Sequence, residues 1–101
     1  MKKGKEKTKV IFRIYLDDSV IALFPQFAAD MSGYSCLSYE HFGQHGAADI
    51  CMVVRRTRLA KPKEYRPLLN ELKQIGYNLQ IAKRCTLRDL QIRQKHPVRA
   101  K

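Results

Sequence analysis

Lys9-Val-Ile-Phe-Arg-Ile-Tyr-Leu-Asp-Asp-Ser-Val-Ile-Ala-Leu-Phe24 is two apolar runs separated by turn-forming residues. In the first run Val10, Phe12 and Ile14 share one side of an extended chain, and Ile11, Arg13 and Tyr15 share the other, because side chains alternate along a strand. Asp17-Asp18-Ser19 supplies the turn, since short Asx side chains hydrogen-bond their own backbone. Residues 20–24 are the returning strand, and the pair reads as a β-hairpin. Pro25 is expected to end it, because proline has no N–H to give to a ladder. This hairpin makes an antiparallel sheet the framework for the rest of the chain.

Working outward, residues 26–33 read as a connector, with Phe27 and Met31 pinning it to the core and Gly33 marking a turn. Residues 34–41 form a third strand with Ser35, Leu37, Tyr39 and His41 on one face, and Tyr34, Cys36, Ser38 and Glu40 on the other. Gly43 and Gly46 then interrupt the regular backbone. Ile50-Cys-Met-Val-Val54 is a continuous apolar run rich in β-branched residues, expected to be a central strand covered on both faces. Tyr65, Leu68, Leu69, Leu72 and Ile75 recur at helical spacing and predict an amphipathic helix, closed by Gly76 in the left-handed C′ position. Pro62 suits the first helical position, but Pro67 then removes a hydrogen bond, so the regular helix is expected to begin near Arg66. Residues 78–84 form the last strand, with Leu79 and Ile81 alternating against polar neighbours. Thr86-Leu-Arg-Asp89 resembles a capping box with Asp for the usual Glu. It opens a short terminal helix that His96-Pro97 stops.

The expected fold class is α+β: a small antiparallel sheet of four to five strands with one amphipathic helix packed on one face. The order is β-β-β-β-α-β followed by a C-terminal helix. The 101 residues suit a single domain. Residues 1–8 read as a disordered basic tail, 9–85 as the domain, and 86–101 as a basic C-terminal helix and tail. The net charge of +11 is unevenly spread: residues 1–9 carry +4, residues 83–101 carry +6 and the 73 residues between them only +1. Basic ends attract polyanions by counterion release without reading sequence. No apolar run approaches the roughly 18 residues of a membrane span, and the N-terminal lysines have no apolar segment behind them as a secretory signal would. Cys36, Cys51 and Cys85 are an odd number without a CxxC pair, which fits a reducing cytoplasm.

Residues 34–49 bring together two histidines, two tyrosines, a cysteine, a glutamate and an aspartate. With Gly33 they read Gly-Tyr-Ser-Cys-Leu-Ser-Tyr-Glu-His-Phe-Gly-Gln-His-Gly-Ala-Ala-Asp49. In this motif, in residues 20–25, and in Glu64-Tyr65, Glu71-Leu72 and Ile75-Gly-Tyr77, the chain resembles a family of small bacterial and phage proteins described only as hypothetical. The resemblance spans roughly residues 10–84. It implies no activity, cofactor or catalytic residue. One departure is Lys61, which precedes Pro62 where members of the family tend to carry a capping Thr.

Two regions are candidate sites. In the first, Tyr39, His41, Gln44, His45 and Asp49 form a candidate binding surface, because amphipathic Tyr and His suit partner contacts. The structural alternative is a tight loop in which Gly43 and Gly46 supply positive φ. The competing class is a metal-dependent or cysteine enzyme centred on His41 and His45. Cys36, Asp49 and Cys51 would complete a ligand set or a Cys-His-Asp arrangement. No recognised metal-ligand spacing or nucleophile motif accompanies them, so no cofactor is assigned. In the second, Arg55, Arg56, Arg58, Lys61, Lys63 and Arg66 oppose only Glu64 and form a candidate nucleic-acid contact, since guanidinium forks match phosphates. Tyr65 and Tyr77 are the candidate stacking platforms for single strands. The function expected is that of a small cytoplasmic accessory protein that binds a partner, protein or nucleic acid.

Overall fold

A computed structural model describes residues 7–30, 33, 35–40 and 44–95, with Gln44 in its backbone alone. The hairpin forms as expected. Strand β1, Thr8–Tyr15, pairs antiparallel with β2, Val20–Ala28, from Ile11↔Leu23 to Ile14↔Val20. The Asp17 carboxylate accepts from the Ser19 N–H at 3.0 Å and the Ser19 hydroxyl at 2.7 Å. Asp18 takes φ +71, the left-handed conformation that Asp tolerates better than most residues.

Around the hairpin the sheet runs β4-β3-β2-β1-β5, where β3 is Cys36–Glu40, β4 is Gln44–Ala48 and β5 is Thr57–Leu59. The final strand β6, Leu79–Ala82, lies parallel to the first half of β1 from Thr8↔Leu79 to Ile11↔Ala82. It therefore shares one flank of β1 with β5, which pairs with residues 13–15. The sheet is mostly antiparallel, with this one parallel ladder.

Three expectations are corrected. Pro25 does not end β2: the register slips between Phe24 and Ala28, and pairing resumes at Ala28↔Cys36. A bulge is where a strand accommodates a residue without an N–H. The apolar run at residues 50–54 is not a strand but the start of helix α1, Ile50–Arg56. Asp49 caps it, accepting from the N–H groups of Cys51 at 3.1 Å and Met52 at 3.4 Å, and Arg55 and Arg56 fill its last turn. Of the run, only Ile50 and Val53 are buried, the i, i+3 spacing of one helical face. The long helix α2 is Pro62–Ile75, one turn earlier than expected. Pro62 needs no hydrogen bond at its start, and the Glu64 carboxylate accepts from the Lys61 N–H at 2.7 Å. Pro67 deprives the Lys63 carbonyl of its helical partner, but both residues are exposed, where a carbonyl is open to solvent.

The sheet buries both faces. Val10, Phe12, Ile14, Val20, Ala22, Phe24 and Tyr39 pack under Leu68 and Leu72 of α2. Ile11, Ile21, Leu23, Cys36 and Ala48 pack under Ile50 and Val53 of α1. The helix face expected from the sequence is thus only partly inside: Tyr65 and Leu69 are half-buried, and Ile75 is half exposed.

Helix α3, Leu87–Lys95, closes the fold. The capping box forms: Asp89 accepts from the Thr86 N–H at 2.9 Å, and Thr86 Oγ1 accepts from the Asp89 N–H at 3.2 Å. Asp89 also takes Lys9 Nζ at 2.5 Å and Gln26 Nε2 at 2.9 Å. Buried Arg93 donates to the Gly33 carbonyl at 2.8 Å and, at the bulge, to the Pro25 carbonyl at 2.7 Å. A Cβ on Gly33, which has φ +75, would come within 3.0 Å of Gln94 Cα, so this approach of turn to helix requires glycine.

Candidate functional site

Cross-strand pairing on β3 and β4 decides what the central motif can do. Tyr39 sits opposite His45, and directly opposed residues share a face. Tyr39 is 1% exposed, with its hydroxyl donating to Glu71 of α2. The exposed His45 ring meets Tyr39 edge-on at 4.7 Å, and its Nε2 lies 2.9 Å from the Tyr77 hydroxyl. These contacts fasten the edge strand to the α2 side of the sheet. Gln44 pairs with Glu40 through its backbone; His41 and Gly43 lie outside the described residues. The expected loop is therefore a strand over residues 44–48, and Gly46 has no positive φ.

Cys36 and Asp49 lie elsewhere. Cys36 belongs to the core under α1 and Tyr39 to the core under α2, so the sheet stands between the thiol and His45. Burial pushes the Cys36 thiol up to about 12, against a smaller opposing pull from Arg93. That leaves it protonated at neutral pH and a weak nucleophile. Asp49 is spent on capping α1, and Cys51 is exposed on that helix. Among the described residues no group of three or more His, Cys, Asp or Glu side chains is placed to hold a metal ion.

The basic cluster converges more. Residues 14–18, at the β1–β2 turn, and residues 55–58, where α1 passes into β5, line an open groove of about 850 Å³. The Tyr15↔Thr57 pairing joins the two segments. Arg13 braces the junction from behind: its Nε donates to Thr57 Oγ1 at 2.7 Å, and its terminal nitrogen donates to the Thr57 carbonyl at 2.7 Å and the Val54 carbonyl at 3.3 Å. Arg55 and Arg56 are exposed, and among the described residues neither forms a salt bridge. Arg58 is engaged, its guanidinium forking the Glu64 carboxylate at 2.9 and 2.7 Å. Those hydrogen bonds raise Arg58 above its ordinary value, and Arg58 with the Lys61 N–H holds Glu64 down at about 2. Lys61, Lys63 and Arg66 are exposed along the first turns of α2, outside the groove lining.

Two features were missed in the sequence. Asp17 and Asp18 line the groove that Arg55 and Arg56 line; some forty residues separate them, and only the pairing of β1 with β5 brings them together. Tyr65 and Tyr77 are not free platforms. Tyr65 stacks on Phe12 at 4.5 Å and Tyr77 on Phe24 at 5.0 Å, both within the α2-side core.

Comparison of the chain with protein-family models, curated proteins and solved structures found no match. No helix among the described residues is long and apolar enough to cross a membrane.

Proposed function

We propose that this protein is a non-enzymatic binding module for a polyanion, nucleic acid, held at the groove between the β1–β2 turn and the α1–β5 junction. One observation carries the reading: Arg55 and Arg56 stand exposed beside the groove without a salt bridge among the described residues, while neighbouring Arg58 is matched by Glu64. A guanidinium with no internal partner has its donor fork free for a phosphate. Lys61, Lys63 and Arg66 extend the positive field along α2. Three free thiols fit a cytoplasmic accessory role. The resemblance to small bacterial and phage proteins belongs to the same reading.

The test is a salt titration of the full-length protein on DNA and RNA oligonucleotides, read by fluorescence anisotropy. Binding at about 0.15 M salt is expected. Arg55→Ala and Arg56→Ala should each weaken it across all sequences and reduce the salt slope by about one. No binding, or binding that both variants leave unchanged, refutes the proposal.

A further inference from the structure

A site built only to attract phosphate would have no carboxylates, yet this groove has two. They are not equivalent. Asp17 is occupied, its carboxylate closing the turn on Ser19. Asp18 is exposed; its N–H donates to the Tyr15 carbonyl at 2.9 Å, but its carboxylate makes no hydrogen bond or salt bridge among the described residues. It stands near enough to Arg58 to add to that residue's positive charge retention, but the Arg58 fork is already filled by Glu64. The groove therefore offers free donors at Arg55 and Arg56 and a free acceptor at Asp18. Tyr15 joins them, half-buried at the end of β1. A phenol is protonated at neutral pH, so it adds no repelling charge; burial, then Glu40, raises it further against the opposing Arg56. Leu16 is fully exposed at the same turn.

A nucleotide has the complementary parts: an anionic phosphate, a π-face, and in cytosine and adenine an exocyclic amino donor. Carboxylates accept from the cytosine amino group. In a duplex the Watson–Crick edge is paired, whereas in a single strand it is open to a side chain while the base stacks on an aromatic. The groove volume also falls in the range of small-ligand sites, about 300–1,000 Å³. We infer, resting on the polyanion reading above, that the groove is a single-stranded nucleic-acid site for one nucleotide: Arg55 and Arg56 hold the phosphate, Tyr15 meets the base, and Asp18 accepts from its exocyclic amino group.

The experiment measures affinity of the full chain for short labelled oligo(dC), oligo(dT) and duplex DNA at about 0.15 M salt. Oligo(dC) should bind about tenfold more tightly than oligo(dT), the discrimination of one good base contact, and the duplex should not exceed oligo(dT). Asp18→Asn keeps a residue that tolerates positive φ and so preserves the turn, which circular dichroism and a melting curve verify. The Asn amide still accepts from cytosine but also donates to thymine O4, so in that variant the preference should fall to about one, and oligo(dT) should bind more tightly as repulsion is relieved. Equal affinity for oligo(dC) and oligo(dT) in the native protein, or a preference that Asp18→Asn leaves intact, overturns the inference. If all three nucleic acids bind alike and still depend on Arg55 and Arg56, the base-reading site is wrong while the polyanion reading stands. If none binds, both are wrong.

Discussion

Asp89 shows how one side chain can tie three segments of a small fold together. It is 2% exposed, yet it meets Lys9 of β1, Gln26 of β2 and the first turn of its own helix. Removing one member of a buried ion pair strands the other, so Asp89→Ala should cost about 3–5 kcal/mol in chemical denaturation at neutral pH. The pH dependence has a definite sign. Burial pushes the Asp89 carboxyl up, but the hydrogen bonds from Lys9, Gln26 and the Thr86 N–H outweigh it and hold it below the ordinary value. A depressed carboxyl stabilises the folded protein above the unfolded-state pKa of about 3.9 and loses that contribution as pH falls through the lower folded value. Acid unfolding below about pH 4 should therefore be steeper in the native protein than in Asp89→Asn. At the same scale, the protonated interior thiol of Cys36 should resist brief alkylation of the folded protein, while exposed Cys51 is labelled. Mass spectrometry of the peptides checks both.

Among the elements, α1 and α2 differ in what holds them. Asp49→Ala removes the cap of a seven-residue helix and should cost about 1 kcal/mol. Leu72→Ala opens a cavity at a residue with no exposure and should cost about 2–5 kcal/mol. Denaturant titration of the two variants should give that order. The hairpin, α2 and the α3 cap were legible in the sequence because each has a strong local signal: strict alternation with an Asp-Asp-Ser turn, apolar spacing with a closing Gly, and a Thr-x-x-Asp box. Helix α1 was not. Five consecutive apolar residues look alike whether buried as strand or helix, and β-branched Ile50, Val53 and Val54 favoured the strand. The flanks carried the better signal, a capping Asp49 before the run and two arginines after it. Gly46 misled in the opposite way, since a glycine inside a strand reads as a break. It sits opposite buried Ser38, whose Oγ is 3.4 Å from where a Cβ would be. Of the candidate site, the arginines were legible as a run. Their facing carboxylate was not, because register between β1 and β5 is a tertiary fact.

At the scale of the molecule, charge and architecture part company at α3. Its arginines read in sequence as part of a basic tail, but Arg93 is 4% exposed and bound to two backbone carbonyls. Its charge still adds to the positive field of the molecule, but its donors are taken up inside the fold and are not offered to a phosphate. Deleting residues 86–101 should therefore do more than trim charge. It leaves Lys9 and Gln26 without Asp89, and the carbonyls of Pro25 and Gly33 without Arg93. Thermal melting by circular dichroism should show a lower and broader transition for the truncated chain. An unchanged melting temperature would mean that α3 is an accessory to the fold and not part of it.

The contact between Lys9 and Asp89 spans 80 positions of the chain. The strand carrying Lys9 is an interior strand of the sheet, and half of one flank waits for β6. During translation that strand leaves the ribosome about seventy residues before its last partners, an interval on the order of several seconds at about 5–20 residues per second. Throughout that interval the Thr8–Ile11 backbone has an unfinished side, a template for wrong pairing. Nascent chains arrested before β6 should be protease-sensitive across β1, and chains released whole should not.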